Sequence, residues 1–466
     1  MFLLNTGFLL SLLLADSNKI VLGLTLVYLI ILLRKTQSYR HSLLILLLNF
    51  LPLTVGRNFL DFTLLSRQEI YGFALFDIKY FGPMLLSDVF LLLIYQHYLS
   101  HGNNKKIILE HSWQVASLGL LAFFAVVLLR SLNHELGNFI LIGSLLILRF
   151  MLLFLLPAIY NWQNEKTQAV FYNSVASLTL FHSLMIWTEQ LRSENLGRFI
   201  EHSLPGMSGG TRAAESINLL RADGLFNEPN IAAIFLLING LLLITIATKN
   251  NTAQRPFLLI GLFAMLSIVF TGSRSLYLIS AIMTLGIAWQ HRQIALVWVQ
   301  ELWRKQLLRL ALLLIIGISA SYLLIRIDTL RNVFSSDGSW SYRRELHQHI
   351  MSFAWQNHLG IGLDLTPYYL AKTFKTVDNQ FTVFDPAPAH NIFIQVLVET
   401  GWLGAAAFLF FLTYSLRAAF RKRSVFATSC LAYVVAAQLH PSFTNHYQLS
   451  AFFFLYLGLA FYDYHR

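Results

Sequence analysis

Two kinds of side chain in this sequence stand out for the chemistry they could do. The first is a histidine, His390, at the head of the apolar stretch "HNIFIQVLVETGWLG" (390–404). A neutral imidazole beside a hydroxyl can take its proton, so His390 is a candidate general base. The bland alternative is an amphipathic anchor at a span boundary. Two features favour chemistry: the prolines of "DPAPAH" restrict the approach to it, and Glu399, Gly401 and Gly404 follow at roughly helical spacing, where a neighbour can come close.

The second kind is arginine. Arg274 sits in the short link "TGSRS" (271–275) between two apolar runs, and an ionisable residue in that setting is a functional hypothesis by default. Arg192, Arg198, Arg212 and Arg221 fall in one long polar connector without a lysine, and Arg331, Arg343 and Arg344 in another. A guanidinium fork matches phosphate oxygens two at a time and keeps its charge at any relevant pH. Several of them converging at an outer membrane–water boundary would suit a diphosphate attached to a lipid. Glu194, Glu201, Glu215 and Asp223 share the first connector, so pairing at the surface is the simpler reading for any single loop arginine. In "GLFNEPNIAAIF" (224–235), Pro229 suits the first turn of a helix and Asn227 could cap it. Glu228 and Asn230 are not needed for capping and could bind sugar hydroxyls.

The elements that must hold these groups are membrane helices. Of 466 residues 56% are hydrophobic and 12% charged, against about a quarter charged in soluble proteins. Apolar runs long enough to cross a bilayer recur along the chain. They lie near 2–15, 19–33, 42–55, 80–99, 113–130, 138–160, 168–189, 228–248, 256–271, 275–290, 308–326, 391–415, 425–439 and 446–463. The expectation is an all-α polytopic integral membrane protein, one membrane domain over 1–466, with about 14 spans (12–14). The N-terminal run lacks a basic leading region and a convincing cleavage site and reads as the first span. A single cysteine, Cys430, allows no internal disulfide or cysteine metal cluster.

The net charge of +11 is spread over short connectors, which fits the positive-inside rule better than nucleic-acid binding. The basic connectors 34–41, 101–106, 248–255, 291–309 and 417–424 alternate so as to share the cytoplasmic side, with both termini. Two long connectors, 189–226 and 328–389, then lie on the opposite face, and loops of that length are usually functional or disordered. The second includes "SYRRELHQHIMSFAWQNH" (341–358), whose apolar spacing at Leu346, Ile350, Phe353 and Ala354 predicts an amphipathic helix before a turn-rich "LGIGLDLTP". No Gly-rich phosphate loop with lysine, zinc-binding histidine pattern or nucleophilic serine elbow is present. His347 and His349 point apart on a helix, so no metal or cofactor is expected.

Four stretches together resemble the O-antigen ligase and polymerase superfamily. They are His390-Asn391 followed after nine residues by Gly401 and after two more by Gly404, the Arg274 link, the Asn-Glu-Pro-Asn start of a middle span, and the outer-loop helix ending in a Gly-x-Gly. The matches cover roughly residues 205–405. The resemblance implies a GT-C-like, inverting, metal-independent glycosyltransferase of the bacterial inner membrane, with its active site facing the periplasm. Its donor would be an undecaprenyl-diphosphate-linked oligosaccharide. Carried over by position, Arg274 with Arg212 or Arg221 would hold the diphosphate, His390 would be the catalytic base, Arg343 or Arg344 would bind near the second substrate, and Asn391 would lie against substrate. A polysaccharide chain-length regulator is a candidate partner.

About fourteen spans and two long outer loops resemble polymerases more than ligases. A lipid-linked-sugar transporter is the outside reading, but transporters tend to carry inverted repeats, and none is visible here. The expectation that carries the rest is that Arg274 and His390 share one extracytoplasmic cavity.

Overall fold

In lipid every backbone polar group must find a partner within the protein, so a chain this apolar folds as helices. The computed structural model describes residues 1–12, 18–53, 56–65, 78–101, 111–132, 137–160, 162, 164–193, 196, 221–226, 228–249, 255–290, 292, 317, 339–363, 365–366, 369–370, 389–440, 443 and 447–462. Its helices are α1 (Phe2–Leu12), α2 (Asn18–Thr36), α3 (Tyr39–Phe50), α4 (Leu86–His101), α5 (His111–Leu132), α6 (Gly137–Ile159), α7 (Glu165–Arg192), α8 (Pro229–Lys249), α9 (Arg255–Ser267), α10 (Arg274–Gln290), α11 (Ser339–Gln356), α12 (Ile392–Arg421), α13 (Ala427–Ala436) and α14 (Tyr447–Ala460). A 3-10 turn, Ile268–Thr271, prolongs α9. Thirteen of the fourteen expected apolar runs coincide with these helices; the run at 308–326, apart from Gly317, lies outside the described residues. Among the described residues α5, α7, α8 and α12 are each long and apolar enough to cross a membrane, and this is a multi-pass membrane protein.

The chain divides into two compact units. The first comprises Met1–Val55, Gln163–Asp337 and Val425–Ala436. Its centre is α8, buried along almost its whole length, against which α7, α9, α10 and α13 pack. Pro229 opens α8 at the position where a missing N–H costs nothing. Helices α1 and α3 pack on α7. Asn5 and Asn49 exchange side-chain hydrogen bonds, and the Tyr28 hydroxyl donates to Asn5 Oδ1 at 2.7 Å, so these buried polar groups satisfy one another.

The second unit comprises Gly56–Trp162, Gly338–Ser424 and Ala437–Arg466. Here α5 packs along α12 and on α6, and α14 packs along α6. Phenylalanines from each fill the space between, with Phe150–Phe454, Phe154–Phe411 and Phe123–Phe408 ring centres 4.7 to 5.3 Å apart. The helical framework is joined by a feature the sequence reading did not anticipate. Residues Gly56–Leu65 and Ile78–Leu85 form an antiparallel hairpin, β1 and β2. The start of the span expected at 80–99 therefore moves to Leu86. Pro83 cannot donate to a ladder and sits beside a register irregularity at Asn58/Leu60. Asp88 then caps α4 by accepting the Leu85 N–H at 2.9 Å, and its carboxylate pairs with Arg149 of α6.

The amphipathic helix expected in the second long connector is α11. Leu346, Ile350, Phe353 and Ala354 are all buried, in one cluster with Ile361, Leu370, Ala389 and Val398. Its apolar face is thus covered by the N-terminal half of α12 and the segments flanking it.

Candidate functional site

In the first unit the polar groups gather where the chain returns from the first long connector. Ala222 N–H donates to the Phe270 carbonyl at 3.2 Å, which lays residues 221–222 along the 3-10 turn after α9. Arg221 reaches further in two directions. Its Nε donates to the Thr271 carbonyl at 3.3 Å and its Nη2 to Asn230 Oδ1 at 3.1 Å. Asn230 in turn donates to Glu228 Oε1 at 2.9 Å. A carboxylate therefore steers a guanidinium through an intervening amide. Gly272 and Ser273 follow, and Arg274 opens α10 with an exposed side chain. A cation at the first residue of a helix faces the positive end of its dipole and is disfavoured there by about 0.3–1 kcal/mol. An anion at the same place would meet both the positive end of the helix dipole and the guanidinium.

Two residues that sequence reasoning missed hold this segment from α7. Glu189 is fully buried, and its carboxylate accepts three backbone N–H groups: Leu196 at 3.1 Å, Asp223 at 3.1 Å and Gly224 at 2.9 Å. His182, also fully buried, accepts the Leu225 N–H on Nδ1 at 3.1 Å and packs edge-on against Phe226 and Phe235. One signal for Glu189 exists in the sequence, an acid in the last turn of a long helix, where the dipole disfavours it. Asp223, considered above as a surface partner for an arginine, is buried beside Glu189. Burial first, and then the Glu189 carboxylate, push its carboxyl up to about 8, so at neutral pH it is mostly uncharged and does not repel its neighbour.

In the second unit the sequence motif acquires a structural reason at each position. Asn391 is the N-cap of α12, its side chain accepting from Phe393 and Ile394 N–H at 2.9 and 3.1 Å. Ile392 N–H donates to the Ala437 carbonyl at 2.9 Å, fixing where the helix begins. His390 is the residue before the cap and is partly buried. Lower down, α12 breaks at Gly401, which takes φ 73° and ψ −176°. The broken turn is filled by the Gly-x-Gly segment: Ile361 and Gly362 N–H donate to the Val398 and Glu399 carbonyls at 2.9 Å, and Trp402 N–H donates to the His358 carbonyl at 3.1 Å. Buried Glu399 also receives the Thr366 hydroxyl at 2.8 Å.

Main chain meets main chain here. A Cβ on Gly401 would sit 2.3 Å from the His358 oxygen, and one on Gly360 would sit 2.5 Å from the Glu399 oxygen. Gly401→Ala should therefore destabilise the protein by at least about 2 kcal/mol, through the left-handed φ and the clash together. Gly7→Ala, where nothing lies within 4 Å of the added carbon, is the matched control. Equal thermal unfolding midpoints for the two variants would contradict this account.

The expected site residues are therefore placed as follows. Arg221, Glu228 and Asn230 form one hydrogen-bonded chain at the turn that precedes Arg274, all in the first unit. His390 and Asn391 head α12 in the second unit, where Arg344 is exposed on α11 and Arg343 belongs to the same helix. Arg212, Arg198, Arg331 and Asn227 lie outside the described residues.

Residues 257–409 match the family model described as O-antigen ligase. The matched stretch contains Arg274, α11, the Gly-x-Gly segment and the α12 motif, and begins after Arg221, Glu228 and Asn230. No curated protein matches the chain.

Proposed function

From the domain of the O-antigen ligase/polymerase superfamily that this chain carries over residues 257–409, we propose that it is a surface-polysaccharide polymerase of the bacterial inner membrane. It transfers an undecaprenyl-diphosphate-linked glycan to another lipid-linked repeat unit at the periplasmic face. The observation that supports this reading best is the arginine arrangement at the head of α10: Arg274 at a helix N-terminus, and Arg221 held against the turn before it. That is a setting for a phosphate-bearing group.

The reaction is a single displacement. The acceptor hydroxyl oxygen attacks the anomeric carbon from the face opposite the lipid diphosphate. The carbon–oxygen bond to the diphosphate breaks, and its electron pair leaves on the phosphate oxygen. Arg274 and Arg221 stabilise that charge as it develops, while Glu228 and Asn230 hold Arg221 in place. His390 receives the hydroxyl proton, and Arg343 or Arg344 binds the acceptor's own phosphate. A diphosphate stabilised by two guanidinium groups is already a good leaving group, so the reading calls for no metal ion.

The break at Gly401 sets the level of the bilayer in this reading. Residues 402–421 of α12 span about 30 Å, the thickness of the hydrocarbon core. Exposed side chains begin only at Trp402, and Leu403, Leu409 and Phe410 continue an apolar stripe suited to lipid. Trp355 of α11, also exposed, meets Trp402 with ring centres 5.4 Å apart, a pairing suited to a membrane–water interface. Residues 392–400, none of them exposed, then rise above the lipid under α11, with His390 at their head.

The family description, O-antigen ligase, favours a second reading: transfer of the finished chain to the lipid A–core. Surface polysaccharide from cells lacking the protein separates the two. A polymerase defect leaves one repeat attached to lipid A–core, whereas a ligase defect leaves none attached and long chains accumulating on the lipid carrier. An unchanged size pattern would defeat both readings.

A further inference from the structure

We infer that Glu189 is a positioning residue for donor binding: its carboxylate ties the two ends of the first long connector together and so delivers Arg221 to the turn in front of Arg274. The inference rests on the proposed role of Arg221 at the diphosphate and adds a residue outside the matched domain.

A buried carboxylate requires hydrogen-bond donors. Removing it from water is unfavourable by several kcal/mol unless donors replace the lost hydration. Glu189 has such donors: among the described residues three backbone N–H groups contact it. One, Leu196, lies just after α7 ends, and two, Asp223 and Gly224, lie just before α8 begins. A single side chain thus closes a connector of nearly thirty residues at its base. Packing alone would be served by an apolar residue at this position.

The geometry downstream gives the closure a purpose. Arg221 is two residues before the first clamped amide, too near for its main chain to wander while Asp223 and Gly224 are held. Ala222 is bonded to Phe270, and the Arg221 side chain is bonded to Thr271 and Asn230. Trp187, two residues before Glu189 on the same helix, donates from its indole to Ser267 at 3.0 Å and packs edge-on against Phe270. One end of α7 therefore fixes both strips of chain that meet at the turn: residues 221–224 through Glu189, and residues 267–270 through Trp187.

The test uses the full-length protein in lipid nanodiscs and two independent readouts. In Glu189→Gln the amide keeps the shape of the side chain but loses its charge, and one of the two accepting oxygens becomes an NH2 that cannot accept, so the hold on the three N–H groups weakens. Hydrogen exchange at the Asp223 and Gly224 amides should rise at least tenfold, with the rest of unit one protected as before. With a lipid-diphosphate-linked oligosaccharide as donor, Glu189→Gln and Arg221→Ala should each raise the donor KM about tenfold. The double variant should have the KM of Arg221→Ala alone, because two changes acting on one contact do not add. Glu189→Asp, which keeps the charge on a shorter stem, should fall between wild type and Glu189→Gln, and it serves if the amide variant does not fold. Unchanged exchange at Asp223 and Gly224 overturns the inference, and so do effects on KM that multiply in the double variant. Exchange that rises while Arg221→Ala leaves the donor KM untouched places the failure in the diphosphate role of Arg221, and the positioning role falls with it.

Discussion

His390→Ala lowers glycan transfer by about 10²- to 10⁴-fold, the range expected when a positioned proton acceptor is removed, and leaves the protein folded in the membrane. The cap of α12 is supplied by Asn391, and the Ile392 N–H is held by Ala437. Neither bond uses the imidazole, so its loss leaves the cap and this backbone bond in place. A residue that served only as an interfacial anchor would show the opposite pattern, with small effects on rate and visible effects on insertion. The measurement is the transfer rate in membranes at matched protein levels, beside a protease-protection assay of topology. Transfer within threefold of wild type would refute the assigned role.

Arg274→Ala lowers kcat/KM for the lipid-diphosphate donor by about 10²- to 10³-fold, the size of effect seen when one preorganised donor to a developing anion is lost. Replacement by lysine recovers little, because an ammonium cannot present the planar two-point fork that a guanidinium offers to adjacent phosphate oxygens. The position sharpens the expectation. As the first residue of α10, Arg274 faces the unfavourable end of the helix dipole when nothing is bound, and an anionic donor relieves that repulsion. A lysine variant retaining most of the wild-type rate would show that a point charge suffices and would end the bidentate reading.

Much of this molecule is readable along the chain because membrane helices are specified locally. Length and apolarity of a run decide whether it can cross lipid, and those properties placed thirteen helices close to where they lie. The buried face of α11 was legible for a related reason, since Leu346, Ile350, Phe353 and Ala354 carry the helical period in their spacing. The His-Asn start and the two glycines of α12 were also visible as a pattern, although their work was not. Asn391 is a cap, and Gly401 is needed because another stretch of main chain, residues 358–362, enters the break it makes.

What the tertiary structure alone decided are the hydrogen bonds between residues far apart in sequence. The hairpin of residues 56–65 and 78–85 draws its stability from pairing across the strands rather than from any property of either strand. Glu189 looks like the polar end of a span until residues 196, 223 and 224 are brought to it. Of the two candidate loop arginines, Arg212 lies outside the described residues. Arg221 is held at the turn before Arg274 by the Thr271 carbonyl, and its neighbour Ala222 by the Phe270 carbonyl, some fifty residues away. Hydropathy is a property of each segment. The partner of a buried carboxylate or a guanidinium is a property of two segments, and only the packed fold brings them together.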